Sequence, residues 1–408
     1  MKPHAFGTIF VCVLVTFIAA SSARADAFSD FLNSVWPDAQ KLGVSRATFD
    51  NATRNLSPDM SLPDLVIPGK PEAPSRGQAE FAQTPAEYLR EATFNNLAAQ
   101  GRKLLAEHRA TLAKIEQQFG VPGPIILAIW GRETAFGTYK LPKDAVQVLA
   151  TQAYTGKRKD YFRNQFIYVL KMLQDGVPRE RLRSSWGGAM GLTQLLPSEY
   201  YEYGVDLDGD GKVDIWTSTA DALGSAAKQL VVKGWQPGKR WAIEVRAPAN
   251  ADCTAGIPDN KRPVNDWLKD GFAPAYGRTL SADEMAETAS LLQPAGIYGP
   301  SFLTPNNYFV IKEYNTSDLY VLFVGHLADR IADAKPFEHP WNGVVQLKTA
   351  DVERMQTRLA ELKLYGDRID GKAGMRTRAA VGNYQKANGL KVDCWPTAAV
   401  LDHMRRGR

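Results

Sequence analysis

Glu133 is the residue whose surroundings most suggest chemistry. It ends the run Val121-Pro-Gly-Pro-Ile-Ile-Leu-Ala-Ile-Trp-Gly-Arg-Glu133, and Thr-Ala-Phe-Gly137 follows. Pro122 and Pro124 suit the first turn of a helix. Ile125 to Trp130 are apolar on every face, which predicts a buried helix. A carboxylate at the end of such a helix is costly to bury in ionised form. The inexpensive response is a raised pKa, which turns the group into an acid able to give up a proton near neutral pH. The competing reading is an exposed helix end with Glu133 paired to Arg132.

A second constellation is Asp206-Leu-Asp208-Gly-Asp210-Gly211-Lys212-Val-Asp214. Acids stand at positions 1, 3, 5 and 9 of an EF-hand-like loop, glycine at 6, and Lys212 offers its carbonyl from 7. Four Asp in nine residues repel one another unless a cation sits among them. Calcium in a structural role is the favoured reading, a solvated acidic turn the alternative. Position 12 is Thr217 where the loop pattern has Glu. Asp221, at the start of the next helix, is a candidate for the missing carboxylate.

The elements that position these groups are mostly helical. Apolar residues recur at helical spacing from Phe28 to Ala39, and Ser45 is a candidate N-cap for a second helix ending near Leu56. A proline-rich stretch from Ser57 to Pro85 predicts an extended strap. A long helix is expected from Ala86 to Ala113, and further helices near 122–134, 142–153, 160–174, 219–232, 283–291 and 316–331. Strand-like stretches are short, at Trp241–Val245 and Tyr308–Ile311. The fold class is therefore mainly α with a small β part (α+β).

The 408 residues are 44% hydrophobic and 23% charged, which excludes a mostly disordered chain. The formal net charge of +5 suits work beside a polyanion such as a bacterial wall. It falls short of a dedicated nucleic-acid binder, so no nucleic-acid partner is expected. Residues 1–25 have the form of a secretory signal: Lys2, an apolar run from Ala5 to Ala20, and the cleavage pattern Ala23-Arg24-Ala25. The run is shorter than the ~20 residues a spanning helix needs. Export to the periplasm, cleavage, and a mature protein without a transmembrane segment are expected. Cleavage would leave Cys253 and Cys394. Their pairing stays open, with two separate thiols the favoured reading, and no metal-ligand spacing surrounds either.

Three motifs in order carry a family resemblance. Glu133-Thr-Ala-Phe-Gly with Ile129-Trp130-Gly131 before it, Ser184-Ser-Trp-Gly-Gly-Ala-Met-Gly-Leu-Thr-Gln-Leu-Leu-Pro-Ser198, and Tyr314-Asn-Thr-Ser-Asp-Leu-Tyr320 together closely resemble the lytic murein transglycosylase B family. Gln78-Ala-Glu-Phe81 resembles the family's segment after the N-terminal helices. The likeness spans about 28–332. It implies a lysozyme-like transglycosylase domain in which Glu133 is the sole general acid and base. The substrate it implies is the glycan strand of peptidoglycan, with no catalytic cofactor. Gln194, Tyr314, Asn315, Tyr320 and Tyr154 are then candidate substrate-binding residues, Asn315 also as a group that orients Glu133. Gly187, Gly188 and Gly191 would let backbone approach a sugar. Leu192 and Leu195-Leu196 depart from the usual pattern. The resemblance also supports Asp221 as a metal ligand.

Beyond a linker near 333–347, residues 348–408 have their own pattern. Asp370-Gly-Lys-Ala-Gly374-Met-Arg-Thr377-Arg-Ala-Ala-Val and Tyr384-Gln385-Lys-Ala-Asn-Gly389-Leu390 resemble the three-helix peptidoglycan-binding module. The departure is Asp393-Cys394 where Asp-Gly is usual. The organisation expected is thus 1–25 signal, 26–332 catalytic domain, 333–347 linker and 348–408 binding domain. As a tether, the module would raise local substrate concentration and matter little for short fragments. Two other functions compete: hydrolysis of the same bond by water, which needs a second acid, and a non-catalytic wall-binding role.

Overall fold

The structure is a computed structural model and describes residues 27–67 and 79–407. The expected signal segment and much of the proline-rich strap lie outside the described residues. The chain divides into two units. The first takes residues up to Ala73, Lys140–Gly204 and Asp214–Ser218; the second takes Pro74–Tyr139, Val205–Val213 and Thr219 onward.

In the first unit, a helix over 27–41 and the Arg46–Thr53 helix pack on Ala145–Thr155 and Lys159–Gln174. Ser45 caps the second of these, its hydroxyl accepting from Thr48 N, as its sequence position predicts. Phe28, Leu32, Val35, Phe49, Leu149, Phe162, Phe166 and Met190 form the core. Lys143–Asp144 pairs antiparallel with Arg183–Ser184.

In the second unit, the long helix expected over 86–113 is broken twice. Thr84 and Glu87 form a capping box on Pro85–Tyr88, after which helices run over Glu91–Glu107 and Arg109–Phe119. The breaks fall at Leu89–Arg90 and His108, where no glycine or proline marks them; Tyr88 and Leu89 turn inward and are buried. Gly123–Thr134 packs against Asp318–Ile331, with Thr219–Val232 beside it.

A five-stranded antiparallel sheet runs Arg262–Pro263, Thr288–Leu292, Ser301–Thr304, Ile243–Arg246, Ala273–Pro274. Two sequence expectations change here. The helix expected over 283–291 is confined to Ala282–Ala286, capped by Ser281, and the chain then turns into a strand. Conversely Tyr308–Ile311 is helical, within Asn306–Lys312. Short apolar runs buried on both faces have no telling period, so helix and strand look alike in them.

Three helices, Thr349–Glu361, Met375–Ala387 and Ala398–Arg406, enclose Met355, Leu359, Val381, Tyr384, Leu401 and Met404. Two buried glutamines shape their loops alike. Gln356 Oε1 accepts from Asp370 N and Gly371 N, and Gln385 Oε1 from Asp393 N and Cys394 N, all at 2.9–3.0 Å. Gly371 has φ +71° and Cys394 φ +55°, so Cys394 holds a left-handed position that glycine fills in the sister loop.

The reason for a cysteine there is a disulfide to Cys253, Cα atoms 6.1 Å apart. This corrects the favoured reading of two separate thiols. Gly382 leaves room for it, because a Cβ would lie 2.3 Å from Cys394 Sγ. Further ties reach these helices. Arg378 Nη2 donates to Asp318 Oδ2 at 2.8 Å, Ile297 N to Asp393 O at 3.2 Å, and Tyr298 OH to Asp393 Oδ2 at 2.8 Å. The expected linker is itself strapped down: Glu338 N and His339 N donate to Glu244 Oε1.

Candidate active site

Glu133 stands on the last turn of the Gly123–Thr134 helix, whose Ile125–Trp130 segment is buried as its composition predicts. The helix stops abruptly. Ala135, Phe136 and Gly137 all take positive φ (48°, 56° and 79°), and Ala135 N still donates to Gly131 O. Such a left-handed ending is ordinary at glycine and strained at alanine and phenylalanine. Gly131 makes the turn possible: a Cβ there would sit 2.7 Å from the Phe136 ring. The turn folds Phe136 back on Trp130 edge to face and leaves the Glu133 carboxyl at the helix end.

Glu133 keeps some residue surface while protein atoms crowd its carboxyl. That burial pushes its pKa up. The Tyr320 hydroxyl, donating to Glu133 Oε1 at 2.5 Å, and the Arg132 charge pull the other way; the Glu80 charge adds to the rise. The net shift is upward. Among the described residues, Tyr320 is the one hydrogen-bond partner of this carboxyl, which leaves Oε2 able to present a proton.

Tyr320 comes from the first turn of the Asp318–Ile331 helix, capped by Ser317, whose hydroxyl accepts from Leu319 N. Its own hydroxyl stays protonated, because burial and the neighbouring Glu133 charge raise its pKa well above the ordinary tyrosine value. Tyr314 stacks on it, centroids 6.5 Å apart and planes at 10°. Asn315 does not reach Glu133 by a hydrogen bond. Its Oδ1 accepts from Ser317 N at 3.0 Å and its Nδ2 donates to Glu80 Oε1 at 2.9 Å. The structure thus brings Glu133, Tyr314, Asn315 and Tyr320 together.

Three neighbours went unassigned in the sequence reading. Arg132 lies among the rings of Tyr88, Tyr320 and Phe323, 5.3–5.9 Å from their centroids, and donates through Nε and Nη2 to the Tyr88 oxygen. Burial lifts Tyr88 to about 12. Glu80 is 3.9 Å from Arg132 Nη2. Glu80 lies within the Gln78–Phe81 motif, so its position carried a signal; Tyr88 carried none.

The other two candidate substrate residues lie in the first unit. Tyr154 packs on Phe28 and Phe31, centroids 5.2 and 5.4 Å away. Gln194 has φ +59° and closes its own turn, Nε2 donating to Gly191 O at 3.1 Å. The motif's glycines serve packing more than the sequence reading expected. A Cβ on Gly188 would meet Leu149 at 2.3 Å, and one on Gly191 the Ile215 carbonyl at 2.7 Å; at Gly187 it would make only an ordinary contact, 3.9 Å from Ser185 Oγ.

Three of the four acids in the loop converge. One carboxylate oxygen each from Asp206, Asp208 and Asp210 lie within 4.8 Å of one another. Asp206 shapes the loop by accepting from Gly209 N, Asp210 N and Gly211 N, and Lys212 N donates to Asp210 Oδ1. Asp221 stands outside that trio: it is buried, and its Oδ1 accepts from Leu207 N and Asp208 N. Asp214, in the first unit, accepts from Trp216 N and Thr217 N and pairs with Arg181.

A helical unit with a small antiparallel sheet, whose buried helix ends on one carboxyl of raised pKa, is of the lysozyme-like class. The chain belongs to the transglycosylase SLT domain family, whose profile matches residues 27–329; the putative peptidoglycan binding domain profile matches 348–404. The resemblance in the three motifs pointed to this family. Membrane-bound lytic murein transglycosylase B of Escherichia coli (strain K12) is 30% identical over 234 residues, 56% of this chain and 62% of that one. The chain thus matches about three fifths of that relative's length. SltB3 from Pseudomonas aeruginosa, solved in complex with NAG-anhNAM-pentapeptide, is 35% identical with a TM-score of 0.83, over 93% of this chain and 99% of that one. Escherichia coli SLT35, solved in complex with calcium, is 26% identical with a TM-score of 0.51, over 61% and 77% of the two chains.

Proposed function

We propose that the protein is an exported peptidoglycan lytic transglycosylase that cuts the β-1,4 bond between N-acetylmuramic acid and N-acetylglucosamine. Glu133 is its acid and then its base. The single observation that carries this reading is the enclosed Glu133 carboxyl, raised in pKa and held at one oxygen by Tyr320. Family membership and the NAG-anhNAM-pentapeptide bound to SltB3 support it. Residues 26–332 form the catalytic part, 333–347 the connection and 348–408 the wall-binding part. Residues 1–25 direct export to the periplasm. No described helix is long and apolar enough to cross a membrane.

The chemistry follows from one protonated carboxyl. Glu133 Oε2 gives its proton to the bridging oxygen, and the C1–O bond of the muramoyl residue breaks. The 2-acetamido group stabilises the cation that develops at C1. Glu133, now a carboxylate steadied by the Tyr320 hydroxyl, takes the proton from the C6 hydroxyl as O6 attacks C1. The muramoyl end becomes a 1,6-anhydro ring, no water is consumed, and Glu133 is reprotonated for the next cycle. Attack within one residue is favoured because both atoms are already held together. Ordinary glycosidases instead place a second carboxylate at the reacting carbon. Tyr314, Asn315, Gln194 and Tyr154 are the proposed glycan contacts. Incubation with purified sacculi is expected to release soluble glycan fragments; sacculi left intact would overturn the reading.

Calcium fits the acidic loop as a structural ion, held by Asp206, Asp208 and Asp210 with the Lys212 carbonyl. Three converging carboxylates are a donor set for a hard cation. Asp221 supports the loop backbone from behind. Calcium added to chelator-treated protein is expected to raise the melting temperature, since binding at 100 times Kd stabilises by about 2.7 kcal/mol. Asp208→Ala should remove most of the rise. No shift with calcium would mean a plain acidic turn.

A further inference from the structure

Near Glu133 lies a second carboxylate that the proposed chemistry does not use. Glu80 is 7% exposed and sits in the short Ala79–Ala82 helix, far from Glu133 in sequence. A buried carboxylate is retained only where it is compensated. Here the compensation comes from two groups of the site. Asn315 Nδ2 donates to Glu80 Oε1 at 2.9 Å, and Arg132 Nη2 lies 3.9 Å from Glu80 Oε2.

Arg132 poses a problem that Glu80 answers. Its guanidinium is the residue next to Glu133, and a cation beside a carboxyl favours the ionised form. A general acid needs the protonated form. Two buried tyrosine hydroxyls, Tyr88 on Arg132 and Tyr320 on Glu133, carry no charge to cancel it. Glu80 does, and the Arg132–Glu80 pair leaves the surroundings of Glu133 close to neutral. Glu80 also fixes geometry: Asn315, held between Glu80 and Ser317 N, sets the turn that leads into the helix bearing Tyr320.

We propose that Glu80 is a positioning residue that keeps Glu133 in its proton-donating state, by opposing the Arg132 charge and by anchoring Asn315 and hence the approach to Tyr320. This rests on Glu133 being the general acid. The direction agrees with the charge of Glu80 acting to raise the Glu133 pKa. The groups facing Glu133 are Arg132 from its own helix, Tyr320 from the Asp318–Ile331 helix, Tyr88 from Pro85–Tyr88, and Glu80.

The test is the pH profile of kcat/KM on a soluble glycan fragment, with Tm measured for each variant. Wild-type activity falls as pH rises through the Glu133 pKa, because the proton to be donated is lost. Glu80→Gln keeps the shape and an acceptor for Asn315 but removes the charge. Its alkaline limb should move down by about one pH unit, with activity recovering at lower pH. Glu80→Asp keeps the charge and should hold the limb near the wild-type position, even where its shorter reach lowers the rate. A Glu80→Gln limb coincident with wild type, or a loss equal at every pH, overturns the proposal. Turnover surviving in Glu133→Gln would instead overturn the acid assignment on which it rests.

Discussion

Glu133→Gln is expected to abolish turnover of sacculi and of soluble fragments while leaving binding to sacculi nearly unchanged. Glutamine has the same shape and its carbonyl can still accept from the Tyr320 hydroxyl, so the site keeps its form. What is lost is the proton for the bridging oxygen and the base that later takes one from O6. Losing a general acid/base costs about 10²–10⁴-fold or more. Here one group performs both transfers, so the larger end of that range applies. Activity within about tenfold of the wild type would remove Glu133 from the mechanism.

The second large effect lies at Asp318, where the active-site helix meets the C-terminal helices. Asp318 and Arg378 are 7% and 6% exposed. Asp318 accepts from Tyr308 and Lys312 through Oδ1 and from Arg378 through Oδ2. Burial pushes its pKa up, but the Lys312 and Arg378 charges outweigh it and hold the carboxyl well below its usual range. Arg378→Ala is expected to destabilise the protein by about 2–3 kcal/mol in denaturant unfolding, because the buried Asp318 Oδ2 loses its partner while Lys312 and Tyr308 still hold Oδ1. Asp318→Ala should cost more than Arg378→Ala, because it strands both Arg378 and Lys312. A loss below about 1 kcal/mol in Arg378→Ala would show that the pair is not needed.

This pair changes what the C-terminal helices are expected to do. From sequence they read as a tether whose removal spares short substrates. In the structure they are held by the Cys253–Cys394 disulfide, by Asp393 and by Arg378, and Arg378 reaches the first turn of the helix that carries Tyr320. Deleting residues from 348 onward is therefore expected to lower turnover of soluble fragments as well as binding to sacculi.

Much of the site was legible because its chemistry is local. An apolar helix ending in Glu133 puts the carboxyl either in the interior or at an exposed end beside Arg132, and the motif resemblance favours the first; the Asp206–Asp210 spacing predicts convergence within one turn of chain. The Glu80, Tyr88 and Arg132 network was not legible, since its members come from separate segments and only tertiary packing joins them. The same holds for Gly188 and Gly191: glycine announces a close approach without saying whether a ligand or Leu149 and Ile215 make it. Residues 288–292 misled because a strand buried on both faces loses its alternation. The disulfide was hidden because cysteines 141 residues apart in sequence carry no pairing signal; the one trace, Cys394 at the usual glycine position, names no partner.

The central claim is that Glu133 directs an internal attack by the muramoyl C6 hydroxyl. The mass of the soluble products from purified sacculi tests it most directly. Transglycosylation adds no water, so every released muramoyl end should be lighter by one water than its hydrolysed counterpart, and Glu133→Gln should yield no such product. Products carrying the full mass of a reducing muramoyl end would mean that water is the nucleophile, and would contradict the account.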